Sequence, residues 1–124
     1  GLMAAYDADV FLSSANAITD DGIMVNIDGN SNRVSCIAQG PKKVIFIVGI
    51  NKVCSDLDAA MKRARNVAAP VNAQRFEVKT PCKTTGKCFD CKSPDTICCQ
   101  FLITRYSRHA GRIHVILVND NLGF

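Results

Sequence analysis

A chain of 124 residues is long enough to bury one compact core and short for two. With 48% hydrophobic and 21% charged residues and a net charge of +4, it has the balance of a globular domain. The charge is too mild, and the few aromatics too poorly interleaved with the basic residues, for a nucleic-acid surface. No apolar run reaches the roughly 18 residues of a membrane span.

Val10-Phe11-Leu12 follows the acidic Asp7 and Asp9 and reads as a short strand. Asn16 to Gly22 is rich in turn residues and reads as a turn. Ile23, Val25 and Ile27 alternate with Met24, Asn26 and Asp28, which is the period of a strand. Gly29-Asn30-Ser31-Asn32 then makes a tight loop, and Arg33 to Gln39 a short helix stopped by Gly40-Pro41.

Val44 to Val48 is apolar on both faces, as a central parallel strand is. Ser55 followed by Asp58 predicts a capping box at the start of the next helix. On that helix Leu57, Ala60, Met61, Ala64, Val67 and Ala68 form the buried face, Lys62, Arg63 and Arg65 the wet one, and Pro70 lies past the end. Lys79 to Cys99 has no period and reads as a cysteine-rich loop module. Phe101 to Thr104 and Ile113 to Val118 predict a closing hairpin turned at Ser107 to Gly111. The whole chain, 1–124, is therefore expected to be one α/β domain: a mainly parallel sheet flanked by helices, with a late antiparallel hairpin.

Two constellations point to chemistry. The first is the polar loop Asp28, Gly29, Asn30, Asn32, Arg33, at the C-terminal end of a strand and the start of a helix. Open α/β sheets bind ligands at that end, helix amides attract anions, and a guanidinium grips a carboxylate or phosphate with two donors. Asn16, Thr19, Asn51 and Lys52 follow other predicted strands and could line the same rim. The expectation is a pocket for a small anionic metabolite. The competing reading is that these are ordinary turn residues and that Arg33 only pairs with Asp28.

The second is Cys82, Cys88, Cys91 and Cys98, spaced C-x5-C-x2-C-x6-C within 17 residues. Four thiolates at such spacing suit zinc or an iron–sulfur cluster, and Lys79, Lys83, Lys87 and Lys92 favour the thiolate form. Three readings compete: free buried thiols, a Cys88–Cys91 redox pair, and a Cys82–Cys98 bridge. Seven cysteines, five of them between Cys82 and Cys99, fit a reducing compartment with a local site better than a disulfide framework, and no secretory signal is visible. Cys36 and Cys54 read as core residues. No Walker loop, dinucleotide fingerprint or nucleophile elbow occurs. His114 reads as a core or interface histidine, His109 as solvated, and Glu77 is the only glutamate.

Several stretches taken together carry a resemblance. They are Ser14-Ala15-Asn16-Ala17-Ile18-Thr19-Asp20-Asp21-Gly22, Val25-Asn26-Ile27-Asp28-Gly29, Asn32-Arg33-Val34, Gly40-Pro41-Lys42-Lys43-Val44 and Gly49-Ile50-Asn51-Lys52. To these add Ala68-Ala69-Pro70, the module from Thr80-Pro81-Cys82 to Cys98, and Gly111 to Val118. Over nearly its whole length the chain resembles the LUD family of lactate-utilization proteins. The resemblance implies a fold similar to the ribose-phosphate isomerase and CoA-transferase group, a cytoplasmic role in oxidising lactate to pyruvate, and iron–sulfur partner proteins. It also implies a longer parent: family members carry an upstream helix-and-strand region with a Gly-Gly-Ser-type loop, so this chain is expected to correspond to their C-terminal part, and Gly1, with no initiator Met, reads as a tag scar or a cut point. An edge left open in that way could be covered by a second copy, giving a homodimer. Ser31 departs from the family's Asp-Gly-x-Gly-Asn-Arg pattern, where it replaces the second glycine, and Cys99 is an extra thiol.

Three roles follow as expectations. One is a non-catalytic LUD-type domain that binds the anionic metabolite and holds a cysteine-ligated metal. Another is a transferase or oxidoreductase component that needs the upstream segment. The third is a metal-stabilised module that docks an iron–sulfur partner.

Overall fold

The computed structural model describes residues 2–124, with side chains described from Ala4 onward. After helix α1 (Leu2–Tyr6) come strands β1 (Val10–Ser13), β2 (Ala17–Thr19) and β3 (Met24–Asp28), then helix α2 (Asn32–Ala38). Strand β4 (Lys43–Gly49) leads through a single 3-10 turn, Ile50–Lys52, to β5 (Val53–Cys54). Helices α3 (Leu57–Arg63) and α4 (Ala69–Ala73) are joined by a π-turn, Ala64–Ala68. A short helix α5 (Pro81–Thr85) precedes β6 (Gln100–Thr104) and β7 (Ile113–Val118).

The strands form two sheets. In the first, of order β1-β4-β7, β4 is parallel to both neighbours. Its run of Val, Ile and Phe therefore occupies the central position that the sequence predicts. The second sheet, β5-β2-β3-β6, is mixed: β2 runs antiparallel to β3 and parallel to β5, and β6 is antiparallel to β3. One apolar cluster joins Ala15, Ile18, Met24 and Ile37 to Val44, Phe46 and Val48 of β4. A second joins Ala17, Val25 and Ile27 to Ala60 and Ala64. Strand β3 is thus buried on both faces. Truncating the fully buried Phe46 to Ala would remove the largest side chain of the core, at a cost of about 3–5 kcal/mol.

The mixed α/β class stands as expected, and several details differ. The expected hairpin is not formed, because β6 adds to β3 while β7 crosses to pair in parallel with β4. The predicted turn at Asn16 to Gly22 holds β2, whose three residues are all buried between neighbours. Pro70 does not lie past the helix end but inside α4. The preceding π-turn widens the backbone where the proline ring would meet the carbonyl four residues back, and the turn also leaves Val67 exposed. Within the cysteine-rich module, α5 adds one helical segment closed by Gly86 at φ 74°. His114, expected in a core or interface, lies exposed on the edge strand β7, with Nε2 2.7 Å from the Gly111 carbonyl.

The helix starts are resolved in detail. The carboxylate of Asp56, not Ser55, caps α3 by accepting from the Ala59 amide at 2.8 Å. Asp56→Ala is expected to cost about 1 kcal/mol in urea unfolding, and Ser55→Ala to leave stability unchanged. Ser31, before α2, sits in the left-handed region at φ 61°, ψ 18°. Ser31→Gly should relieve that strain and raise unfolding free energy by up to about 1 kcal/mol, read as a higher urea midpoint at unchanged slope.

Candidate functional site

The loop at the end of β3 is organised by one carboxylate. Asp28 is buried, and its Oδ2 accepts from the amides of Arg33 and Val34, each at 2.8 Å. Its Oδ1 pairs with the Arg33 guanidinium at 2.9 Å, and Arg33 also donates to the Ile27 carbonyl at 2.7 Å. The carboxylate thus takes the place at the start of α2 that a bound anion would take. Gly29 is packed against the backbone of Ile97, and the Cys99 amide donates to the Asp28 carbonyl. The expected free donors at Arg33 are therefore engaged within the chain. Asn30 is exposed, and Asn32 accepts from the Arg33 amide. Thr19 is spent on its own turn, donating to Asp21 and accepting from the Ile23 amide.

The remaining predicted residues gather elsewhere, around Ser14. Lys52 is only 6% exposed, and its Nζ donates to Ser14 Oγ at 3.0 Å. Asn26, fully buried on β3, donates from Nδ2 to the Ser14 carbonyl at 3.0 Å. Asn26 Oδ1 is buried with no hydrogen-bond partner among the described residues. Arg63 reaches in from α3 and donates to the carbonyls of Asn16 and Asn51 at 2.7 and 2.9 Å. Asn16 accepts on Oδ1 from the Ile27 amide, which fixes the loop in front of β2.

A terminal segment covers this cluster. Asn51 Oδ1 accepts from the Leu122 amide at 3.1 Å, and the Ile50 amide donates to the Asp120 carbonyl. Gly49 must be glycine for this contact, since a Cβ there would lie 2.6 Å from the Leu122 nitrogen. A Cβ at Gly123 would stand 3.2 Å from Lys52 Nζ, so the tail passes directly over the ammonium group.

The electrostatics of the cluster are one-sided. Among the described residues Asp28 is the only buried acid, and it is committed to Arg33 and α2. Lys52 has no carboxylate partner among the described residues. Burial, then the charges of Arg63 and Arg33, lower its pKa from the ordinary lysine value.

The predicted cysteines also come together. Cys82, Cys88, Cys91 and Cys98 line one hollow of about 30 Å3 with Arg65, Asp90 and Phe101. All seven cysteines are free thiols, so neither the Cys82–Cys98 bridge nor a Cys88–Cys91 disulfide is formed. Among the described residues, no three His, Cys, Asp or Glu side chains converge closely enough to hold a single ion. Burial pushes the Cys98 thiol up to about 11, with Cys88, Cys82, Cys91 and Cys99 adding to the shift. An open cleft of about 420 Å3, lined by Asp58, Met61, Lys62, Arg65, Asn66 and Phe89, adjoins the hollow.

Of this cluster the sequence points to Asn16, Asn51 and Lys52 and not to Ser14, Asn26 or Arg63. Helical period puts Arg63 on a wet face, and strand alternation puts Asn26 on a polar side. The signal in the sequence is an amide and a lysine with no neighbouring acid, and it becomes visible only once both faces of β3 are covered.

The fold is that of a small mixed α/β domain with a polar cluster in its interior. A family model for the LUD domain matches residues 3–118, and the chain belongs to that family, which is associated with lactate utilization. No curated protein and no solved structure matches the chain. No helix among the described residues is long and apolar enough to cross a membrane.

The lowered pKa of Lys52 has a signed consequence. The folded state holds this proton less tightly than the unfolded chain, so the penalty is present at neutral pH and eases as pH rises towards the ordinary lysine value near 10.4. Lys52→Met removes it. Urea unfolding of both proteins from pH 7 to 10 should show wild type gaining on the variant as pH rises; a constant difference would mean that the ammonium is not penalised.

Proposed function

We propose that this LUD domain binds a small 2-hydroxy carboxylate of the lactate kind at Lys52, Ser14 and Asn26, with Arg33 and Arg63 supplying the surrounding positive field. The observation that carries the reading is the buried Lys52 ammonium near two guanidinium groups, while the one buried carboxylate among the described residues is committed to Arg33. A buried charge without a counter-ion is costly, and a bound carboxylate removes that cost.

Asn26 sharpens the choice of ligand. Its Oδ1 lacks a donor, and its Nδ2 meets the same Ser14 that Lys52 holds. A 2-hydroxy acid carries both complements: a carboxylate for the ammonium and a hydroxyl to donate to Oδ1. A 2-oxo acid has the carboxylate but no such donor, so a site with a buried unpaired acceptor discriminates against it. Phosphate offers charge without the hydroxy-acid geometry. In this reading Asp28 and Arg33 act from the margin, holding α2 and the end of β3 in place.

Calorimetric titration of the full chain with lactate, pyruvate and phosphate tests this. Lactate is expected to bind at least several-fold more tightly than pyruvate, and Lys52→Met to weaken lactate by tenfold or more. Absence of heat with all three, or affinity for lactate that survives Lys52→Met, refutes the site.

A further inference from the structure

The cysteine hollow is independent of the Lys52 cluster. Residues 86–99 contain no helix or strand, yet they are folded back onto the π-turn and β6. An irregular stretch of that length in a compact domain needs something to hold its shape. Its polar ties to the rest of the chain include Arg65 with Asp90 at 2.8 Å, the Lys79 amide donating to Asp95 at 2.9 Å, the Cys88 amide reaching Asn66 at 3.4 Å and the Cys99 amide donating to the Asp28 carbonyl at 3.0 Å. Besides these, four thiols surround one small void, contributed by α5, the loop itself and the lead into β6.

Polar and charged groups surround the void. Thr80 Oγ1 lies 3.4 Å from Cys82 Sγ, the Asp90 amide donates to Cys88 Sγ at 3.4 Å, and Cys91 Sγ and Thr96 Oγ1 are 3.5 Å apart. Arg65 lines the wall, its guanidinium 5.7 Å from the Phe101 ring centre. It brings positive charge, while Phe89, Phe101 and Ala69 close the other sides with apolar surface. The Asp90 amide that donates to sulfur, the nearby cation and the apolar shell are features that stabilise thiolate-bound metal.

We propose that Cys82, Cys88, Cys91 and Cys98 form a four-thiolate metal site that takes a thiophilic centre, either one zinc ion or one iron–sulfur cluster. Four thiols release four protons as they bind. With a doubly charged zinc ion or [4Fe–4S] core, the assembled centre carries two negative charges, which Arg65 and the module's lysines offset. The two occupants ask different things of the chain. A zinc ion requires all four sulfurs about 2.3 Å from one point, and hence a contraction of the loop. A cluster binds each thiolate to a different iron and requires the hollow, about 30 Å3 as it stands, to widen.

The full chain, prepared without oxygen, is loaded in parallel with zinc alone and with ferric iron, sulfide and a dithiol that supplies the two electrons needed to reach the doubly charged core, then desalted and analysed for bound zinc, iron and sulfide. One zinc per chain, or about four irons with four sulfides and a visible charge-transfer band, is expected. Cys88→Ser with Cys91→Ser should cut bound metal at least tenfold, whereas Cys99→Ser should leave it unchanged. Loading should also protect the chain from tryptic cleavage after Lys87 and Lys92, a readout that does not depend on activity or on the variants folding. Wild type that retains no more metal than the double variant, with unchanged cleavage at both lysines, overturns the proposal. Lactate binding at Lys52 is read separately, so either result can fail without the other.

Discussion

The Asp28 carboxylate is the constraint on which the rest of the interior turns. It is the one buried acid among the described residues, and it makes two bonds to the opening amides of α2 and an ion pair to Arg33. Those contacts tie the end of β3 to the helix that closes the first core cluster. They also decide the electrostatics of the whole interior, because a carboxylate engaged there cannot neutralise Lys52. The positive character of the Ser14 cluster thus follows from where the domain's buried negative charge is used.

Guanidinium groups play the complementary part for the backbone. Arg112, at the start of β7, donates to the carbonyls of Pro41, Ile37 and Cys36, closing the end of α2 against the edge of the first sheet. Arg63 does the same for the loops before β2 and after β4, and Arg33 for Ile27. Loop carbonyls turned inward need donors, and a rigid planar fork can serve several at once. Connections without secondary structure are fixed in this way, and with them the positions of Ser14, Asn51 and Lys52.

Elements with a strong period were legible in the sequence: β1, β3, β4 and α2 follow apolar patterns that a sheet or a short helix requires. What could not be read depended on partners distant in the chain. Strand β2 has three residues and a turn-like composition, and only its pairing with β3 and β5 makes it a strand. The route of β7 to β4 rather than β6 is a choice between two equally apolar edges. Helix continuation through Pro70 needed a π-turn that no composition rule signals. The four cysteines were legible because spacing alone marks them. The Ser14 cluster was half legible: Lys52 and Asn51 stood out as polar residues after a strand, but Asn26 was masked by the assumption that an alternating strand has one wet face.

The tail from Asp120 to Gly123 lies across Lys52 and is held by few hydrogen bonds to Ile50 and Asn51. Any solute that reaches the ammonium must therefore compete with the chain's own closing segment. For the acid proposed above, the affinity would be its intrinsic one reduced by the cost of displacing that segment from Ile50 and Asn51. That cost would in turn depend on Gly49, whose missing side chain lets the cover seat so closely.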